Sequence, residues 1–135
     1  MVNAGHVAPY LWRAGQVSAV PLPPDVPLGL FRDSVYRSTD VSLEPGDRLV
    51  LVTDGMLERD AAGVDLSAEI GRTRLLHPRE TTRSLADMVL AACGPDLADD
   101  ATLMVLDWHG GHGDDRVTVA GAEPLYASAP RVLPT

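Results

Sequence analysis

A mixed α+β domain is what the sequence predicts, on three observations. Two short apolar runs, Leu49–Val52 and Thr102–Leu106, are rich in β-favouring residues and bounded by turn and acidic residues. Tyr10–Arg13 and Gln16–Val20 flank Ala14-Gly15 as the arms of a hairpin. Leu85, Met88, Val89 and Ala92 recur at i, i+3, i+4 and i+7, the single apolar stripe of an amphipathic helix.

Taken in order, Asn3-Ala4-Gly5-His6 is turn-like and the hairpin follows it. Pro21 to Gly29 carries four prolines, which exclude helix and interior strand and predict an ordered surface loop. Val35–Val41 alternates in polarity and reads as a strand. Pro45-Gly46 is a turn, and the central strand runs from Arg48 to Thr53, apolar enough to be buried on both faces. Met56–Arg59 reads as a single helical turn. Leu66–Leu76 reads as a short helix capped by Asp65 or Ser67. Gly94-Pro95 ends the striped helix, since glycine supplies a left-handed cap and proline cannot continue the helix. Thr102–Trp108 is the last strand. Residues 109–135, beginning His109-Gly110-Gly111-His112-Gly113, read as a flexible tail with Arg116–Ala120 as a stray strand, so the predicted domain spans 1–108. Trp12, Trp108 and Cys93 read as core residues.

The chemistry concentrates at two strand ends. The central strand stops at Asp54-Gly55, so a carboxylate sits at the exit of a stiff element, and Gly55 permits a sharp bend beside it. Asp99-Asp100 stands at the entrance of the last strand. If those strands run antiparallel and adjacent, the carboxylates converge. Clustered carboxylates repel unless a cation sits among them, and oxygen-only sets suit hard divalent ions such as Mg2+ or Mn2+. Glu58, four residues after Asp54, reads either as a group that orders a metal-bound water or as a surface carboxylate. His6 reads as a contact to phosphate or metal, or as a structural turn residue.

Composition narrows the class. The chain has 135 residues, about one domain, with 45% hydrophobic and 22% charged residues. A net charge of -8 argues against nucleic-acid or anionic-membrane partners. No apolar run is long enough to span a bilayer and no signal peptide opens the chain, which predicts a cytoplasmic protein. The single Cys93 excludes an internal disulfide.

The ordered motifs resemble the PPM-type metal-dependent protein phosphatases, in their stage II sporulation protein E-like (SpoIIE-like) branch. Asn3-Ala4-Gly5-His6 with Pro9, then Pro27-Leu28-Gly29, then Pro45-Gly46-Asp47 with Thr53-Asp54-Gly55-Met56-Leu57-Glu58, then Asp99-Asp100-Ala101-Thr102 follow the branch's sequence of motifs. The resemblance implies the C-terminal part of an αββα sandwich and a protein-serine/threonine phosphatase. It implies two Mn2+ or Mg2+ ions that activate a water for attack on phosphoserine or phosphothreonine. Carried over by position, Asp54 and Asp99 are metal ligands, with Gly55, Glu58 and Asp100 supporting them. The implied partner is a phosphorylated regulator of the anti-anti-sigma type.

The branch also has an Asp-x-x-Gly-His-Gly metal motif that is not found ahead of Asn3. Asp107-Trp108-His109-Gly110-Gly111-His112-Gly113 resembles it with one residue too many, but follows the last strand and reads as coincidence. The chain therefore reads as the second part of a larger domain, whose open sheet edge a missing N-terminal half or a second copy would cover. The alternative is an inactive phosphatase-like remnant that binds protein. An unrelated β-rich ligand-binding domain would instead place Asp54 and Asp99 far apart.

Overall fold

The computed structural model describes residues 1–56, 64–93 and 101–110, with Cys93 described in its backbone only. β1 (Tyr10–Arg13) and β2 (Gln16–Ala19) form the hairpin. Its two-residue loop places Ala14 at φ 48° and Gly15 at φ 88°, the double positive φ that matches the twist of paired strands. β3 (Arg48–Val52) follows, then a 3-10 turn at Asp54–Met56. α1 (Leu66–Arg72) and α2 (Pro78–Cys93) precede β4 (Leu103–Asp107).

The four strands form one antiparallel sheet in the order β2-β1-β3-β4. β3 lies in the middle and alternates sides. Val50 and Val52 face the helices and join Met56, Leu66, Ile70, Leu85 and Val89 in the main core. Leu49 faces away and packs with Val20 and Leu22, against which Leu11, Val41 and Leu51 also lie. β3 is thus buried on both faces, as its unbroken apolar run requires.

The Pro45-Gly46 turn is closed by the Asp47 N–H donating to the Glu44 carbonyl at 3.0 Å, with Gly46 at φ 95°. Proline followed by a glycine at positive φ is the type II turn pattern. Asp47, 2% exposed, does more than finish the turn. Its carboxylate accepts from Arg13 Nε at 2.9 Å and Nη2 at 2.5 Å, and from the Glu44 N–H at 2.7 Å. The Arg13 hydrogen bond holds the Asp47 carboxyl below the usual carboxylate range against the opposing effect of burial. Glu69 is lowered in the same way, first by its bond from Arg72, and also accepts from Ser84 Oγ on α2.

Both carboxyls bind protons more weakly folded than unfolded, so the stability they contribute is present above the unfolded carboxylate pKa of about 4. It is lost as pH falls through their lower folded values. Urea midpoints at pH 7 and pH 3 are expected to show this loss, and Asp47→Asn is expected to lower the pH 7 midpoint and flatten the pH dependence. A midpoint in the parent chain that does not fall at pH 3 contradicts the assignment.

Three readings differ from expectation. Val35–Val41 forms no strand: the Arg37 N–H donates to Asp25 Oδ2 at 2.8 Å and the Thr39 N–H to the Met1 carbonyl at 2.8 Å, so loop and N-terminal partners take the place of a ladder. α1 stops at Arg72, where Thr73 turns its hydroxyl back onto the Glu69 carbonyl at 2.8 Å; its N-cap is Asp65, which accepts from the Ala68 N–H at 2.9 Å. A 3-10 turn spans Asp54–Met56, and residues 57–59 of the helical turn read at Met56–Arg59 lie outside the described residues. Trp108 is 46% exposed, not core, because alternation along β4 puts Met104, Leu106 and Trp108 on the outward side. Gly94-Pro95, the Arg116–Ala120 strand and the Cys93 thiol lie outside the described residues. No helix among the described residues is long and apolar enough to cross a membrane.

Candidate functional site

β3 and β4 run antiparallel side by side, with Val52 opposite Leu103. Beyond that pair the ladder is carried on by side chain and main chain together. The Thr53 N–H donates to the Thr102 carbonyl at 3.0 Å, and the Thr102 N–H returns a bond to Thr53 Oγ1 at 2.8 Å. The exit of β3 is therefore clamped to the entrance of β4. Asp54 is the residue immediately after one arm of the clamp, and Asp99 and Asp100 precede the other arm in the sequence by three and two residues.

Asp54 is exposed, while Gly55 and Met56 are buried beneath it. The Met56 N–H donates to the Thr53 carbonyl at 3.0 Å and closes the 3-10 turn. The Gly55 N–H donates to Asp54 Oδ1 at 3.1 Å, which orients the carboxylate. The bend at Gly55 is made in this right-handed turn, not at the positive φ that glycine alone tolerates. Five ion pairs form among the described residues: Arg13 with Glu44 and Asp47, Arg37 with Asp25, Arg48 with Asp107, and Arg72 with Glu69. None of them neutralises Asp54. An exposed carboxylate held by a rigid strand end, with no cationic side chain against it among the described residues, is the donor chemistry a hard divalent cation takes. Asp54 fits such an ion. Glu58, Asp99 and Asp100 lie outside the described residues, and among the described residues no group of three or more His, Cys, Asp or Glu forms a ready ligand set.

His6 comes to the same end of the sheet. β1 pairs with β3 so that Tyr10 faces Val50, and the chain ahead of Tyr10 continues in the direction in which β3 runs toward Asp54. The turn that carries His6 is built by Asn3, which is 6% exposed. Asn3 Nδ2 donates to the carbonyls of His6 at 2.9 Å and Leu22 at 3.2 Å, and Asn3 Oδ1 accepts the His6 N–H at 2.7 Å. Gly5 sits at φ 88°, which strains any side chain, and a Cβ there would stand a tight 3.0 Å from Pro27 Cγ.

The residues that sequence reasoning passed over lie at the opposite end. Arg48 is fully buried and paired with Asp107 across β3 and β4, so Asp107 is a structural anion and not part of a metal motif. The signal was present in the alternation: Arg48 shares a face with Val50 and Val52, and Asp107 with Leu103 and Val105. A cavity of about 270 Å³ is lined by Leu11, Arg13, Val20, Asp40 and Val41 among others, on the sheet face turned away from the helices. It includes neither Asp54 nor His6, and its one guanidinium is committed to Asp47.

Residues 1–109 match the family model of stage II sporulation protein E (SpoIIE). Among solved structures, the manganese-presoaked phosphatase domain of the cell fate determinant SpoIIE from Bacillus subtilis matches at 20% identity and a TM-score of 0.57, over 78% of this chain and 48% of that one. The PP2C phosphatase domain of the same protein, solved with a fragment of its regulatory domain, matches at 22% identity and a TM-score of 0.60, over 77% of this chain and 32% of that one. The PPM Ser-Thr phosphatase MsPP from Mycobacterium smegmatis, in complex with cacodylate, matches at 16% identity and a TM-score of 0.53, over 78% of this chain and 54% of that one. Likeness at these identities shows a shared α+β fold. The chain spans about half the length, or less, of these solved structures. No curated protein matches the chain.

Proposed function

We propose a function from one premise: this chain belongs to the stage II sporulation protein E (SpoIIE) family of PPM/PP2C-type phosphatase domains. The function is metal-dependent hydrolysis of phosphoserine or phosphothreonine in a protein. The ions are Mn2+ or Mg2+, two in the complete domain, with Asp54 and Asp99 as ligands and Gly55, Glu58 and Asp100 in support. Bound divalent ions supply Lewis acidity toward phosphoryl oxygens and acidify water. The chain's own residues supply the frame. The Thr53–Thr102 clamp joins the exit of β3, which Asp54 follows, to the entrance of β4, and the Gly55 N–H fixes the rotamer of Asp54. Preorganisation of this kind keeps ligand carboxylates in place without the cost of ordering them on binding. The substrate is a phosphorylated regulatory protein of the anti-anti-sigma type, in keeping with the family.

The observation that carries the reading is the clamp, which places the exit bearing Asp54 against the strand that Asp99-Asp100 lead into. Hydrolysis of a phosphoserine peptide by the full chain is expected to require Mn2+ and to stop on chelation with EDTA. Turnover that survives chelation overturns the metal-dependent reading. A second reading is a phosphatase-like module that binds protein without hydrolysis. It predicts no turnover with or without Mn2+, together with a cooperative melt.

A further inference from the structure

We propose that the open edge of β2 and the cavity beside it dock an extended, basic segment of a partner protein, which adds a strand to the sheet and seats one arginine or lysine in the cavity. The proposal stands apart from the metal-dependent reading above. β2 is the outer strand, and among the described residues it pairs with β1 alone. The Val20 N–H, just past its end, donates to the Pro9 carbonyl at 2.7 Å and so points toward β1. Main-chain groups alternate sides along an antiparallel strand. Gln16 and Ser18 therefore turn their N–H and C=O groups to β1, while Val17 and Ala19 turn theirs to the open edge. Charges, prolines and bulges guard many sheet edges. β2 reads Gln16-Val17-Ser18-Ala19, with no charge and no proline, and its register with β1 is unbroken. An edge of this kind takes up an extended peptide through main-chain hydrogen bonds.

The cavity decides what the added strand carries. Ser18 stands opposite Leu11, and both line the cavity on the sheet face turned from the helices. A residue placed opposite Ser18 on an added strand projects to that same face. The lining is apolar at Leu11, Val20 and Val41 and polar at Ser18 and Asp40. That mixture suits a side chain with a long aliphatic stem and a charged head. The volume of about 270 Å³ falls below the roughly 300–1,000 Å³ of small-molecule pockets and leaves room for one such side chain. The sign of the charge follows from the neighbours. Arg13, the guanidinium of the cavity, is already paired with two carboxylates, Asp47 and Glu44. Asp40 adds a third, exposed and in no ion pair among the described residues. Three anions around one cation leave the cavity negative, in a chain whose net charge is -8, and a basic head group offsets the excess.

The test is titration of the isotope-labelled full chain with a blocked peptide in which valine and threonine alternate around a central arginine, followed by NMR and amide hydrogen exchange. The Val17 and Ala19 amides are expected to exchange freely in the chain alone and to become protected as the peptide binds. Replacing the arginine of the peptide with neutral, near-isosteric citrulline is expected to weaken binding about five-fold, and Asp40→Asn to do the same. Ala19→Pro removes a donor from the open edge and no bond to β1, so it is expected to weaken binding at least about ten-fold while the melt holds. No binding, equal affinity for the arginine and citrulline peptides, or binding that leaves Val17 and Ala19 unprotected overturns the proposal. Protection already present without peptide overturns it too. Protection independent of protein concentration would put a segment of this chain on the edge, and protection that rises with concentration would put a second copy there. The citrulline comparison needs no protein variant, so it decides the matter even where Ala19→Pro fails to fold. The titration contains no Mn2+, so its outcome and that of the phosphatase assay are independent.

Discussion

Arg48→Ala is expected to destabilise the chain by about 3–5 kcal/mol, a large share of the stability of any small domain. The side chain is fully buried, and each of its donor nitrogens has an acceptor. Nε and Nη2 form the fork onto Asp107 at 2.7 and 2.9 Å. Nη1 donates to the Thr73 carbonyl at 2.8 Å and to Thr81 Oγ1 at 2.5 Å, and Nη2 also donates to the Leu76 carbonyl at 2.5 Å. One guanidinium thus joins β3 to β4, to the end of α1 and to the first turn of α2. Its removal strands the Asp107 carboxylate, 2% exposed, in a medium that cannot solvate it. Arg48→Lys is expected to rescue little, because a point charge cannot reproduce the planar fork. Arg48→Met combined with Asp107→Leu is expected to recover much of the loss, since removing both charges removes the desolvation penalty as well. Urea midpoints of the three variants decide the point, and an Arg48→Ala loss under about 1 kcal/mol contradicts the assigned role.

Asp54→Asn is expected to act on function and leave the fold alone. Mn2+ affinity should fall on the order of 100-fold, given that loss of even a group behind the ligands costs 10- to 100-fold, and Mn2+-dependent turnover should fall with it. The amide keeps an acceptor for the Gly55 N–H, and Asp54 is exposed with no ion pair among the described residues, so the melt should shift by no more than about 0.5 kcal/mol. Unchanged Mn2+ affinity in a folded variant removes Asp54 from the site. Loss of stability on the scale expected for Arg48→Ala would make Asp54 a structural residue instead.

The two variants mark how differently the two ends of one sheet were legible. The Asp54 end was visible because its signals are local: a Pro-Gly turn, an apolar run of strand length and an acid at the exit. β3, the hairpin and the helix carrying Leu85 and Val89 were visible for the same reason, since turn chemistry and periodicity act within a few residues. Val35–Val41 misled because alternation shows that a segment can pair, and not whether a partner is available. Its backbone met Asp25 and Met1 instead of a strand. Trp108 misled because aromatic residues favour cores, whereas its parity along β4 turned it outward.

What the sequence determined by itself is the hairpin, β3, α2, β4 and the acid at the exit of β3, because dihedral preference, turn type and apolar period are properties of neighbours along the chain. Only the tertiary structure decided the strand order β2-β1-β3-β4, the Thr53–Thr102 clamp, and the burial of Arg48 against an acid 59 positions away. Burying a charge is favourable only when its counter-charge and acceptors arrive together, and that condition is set by contacts between distant segments that no local pattern records.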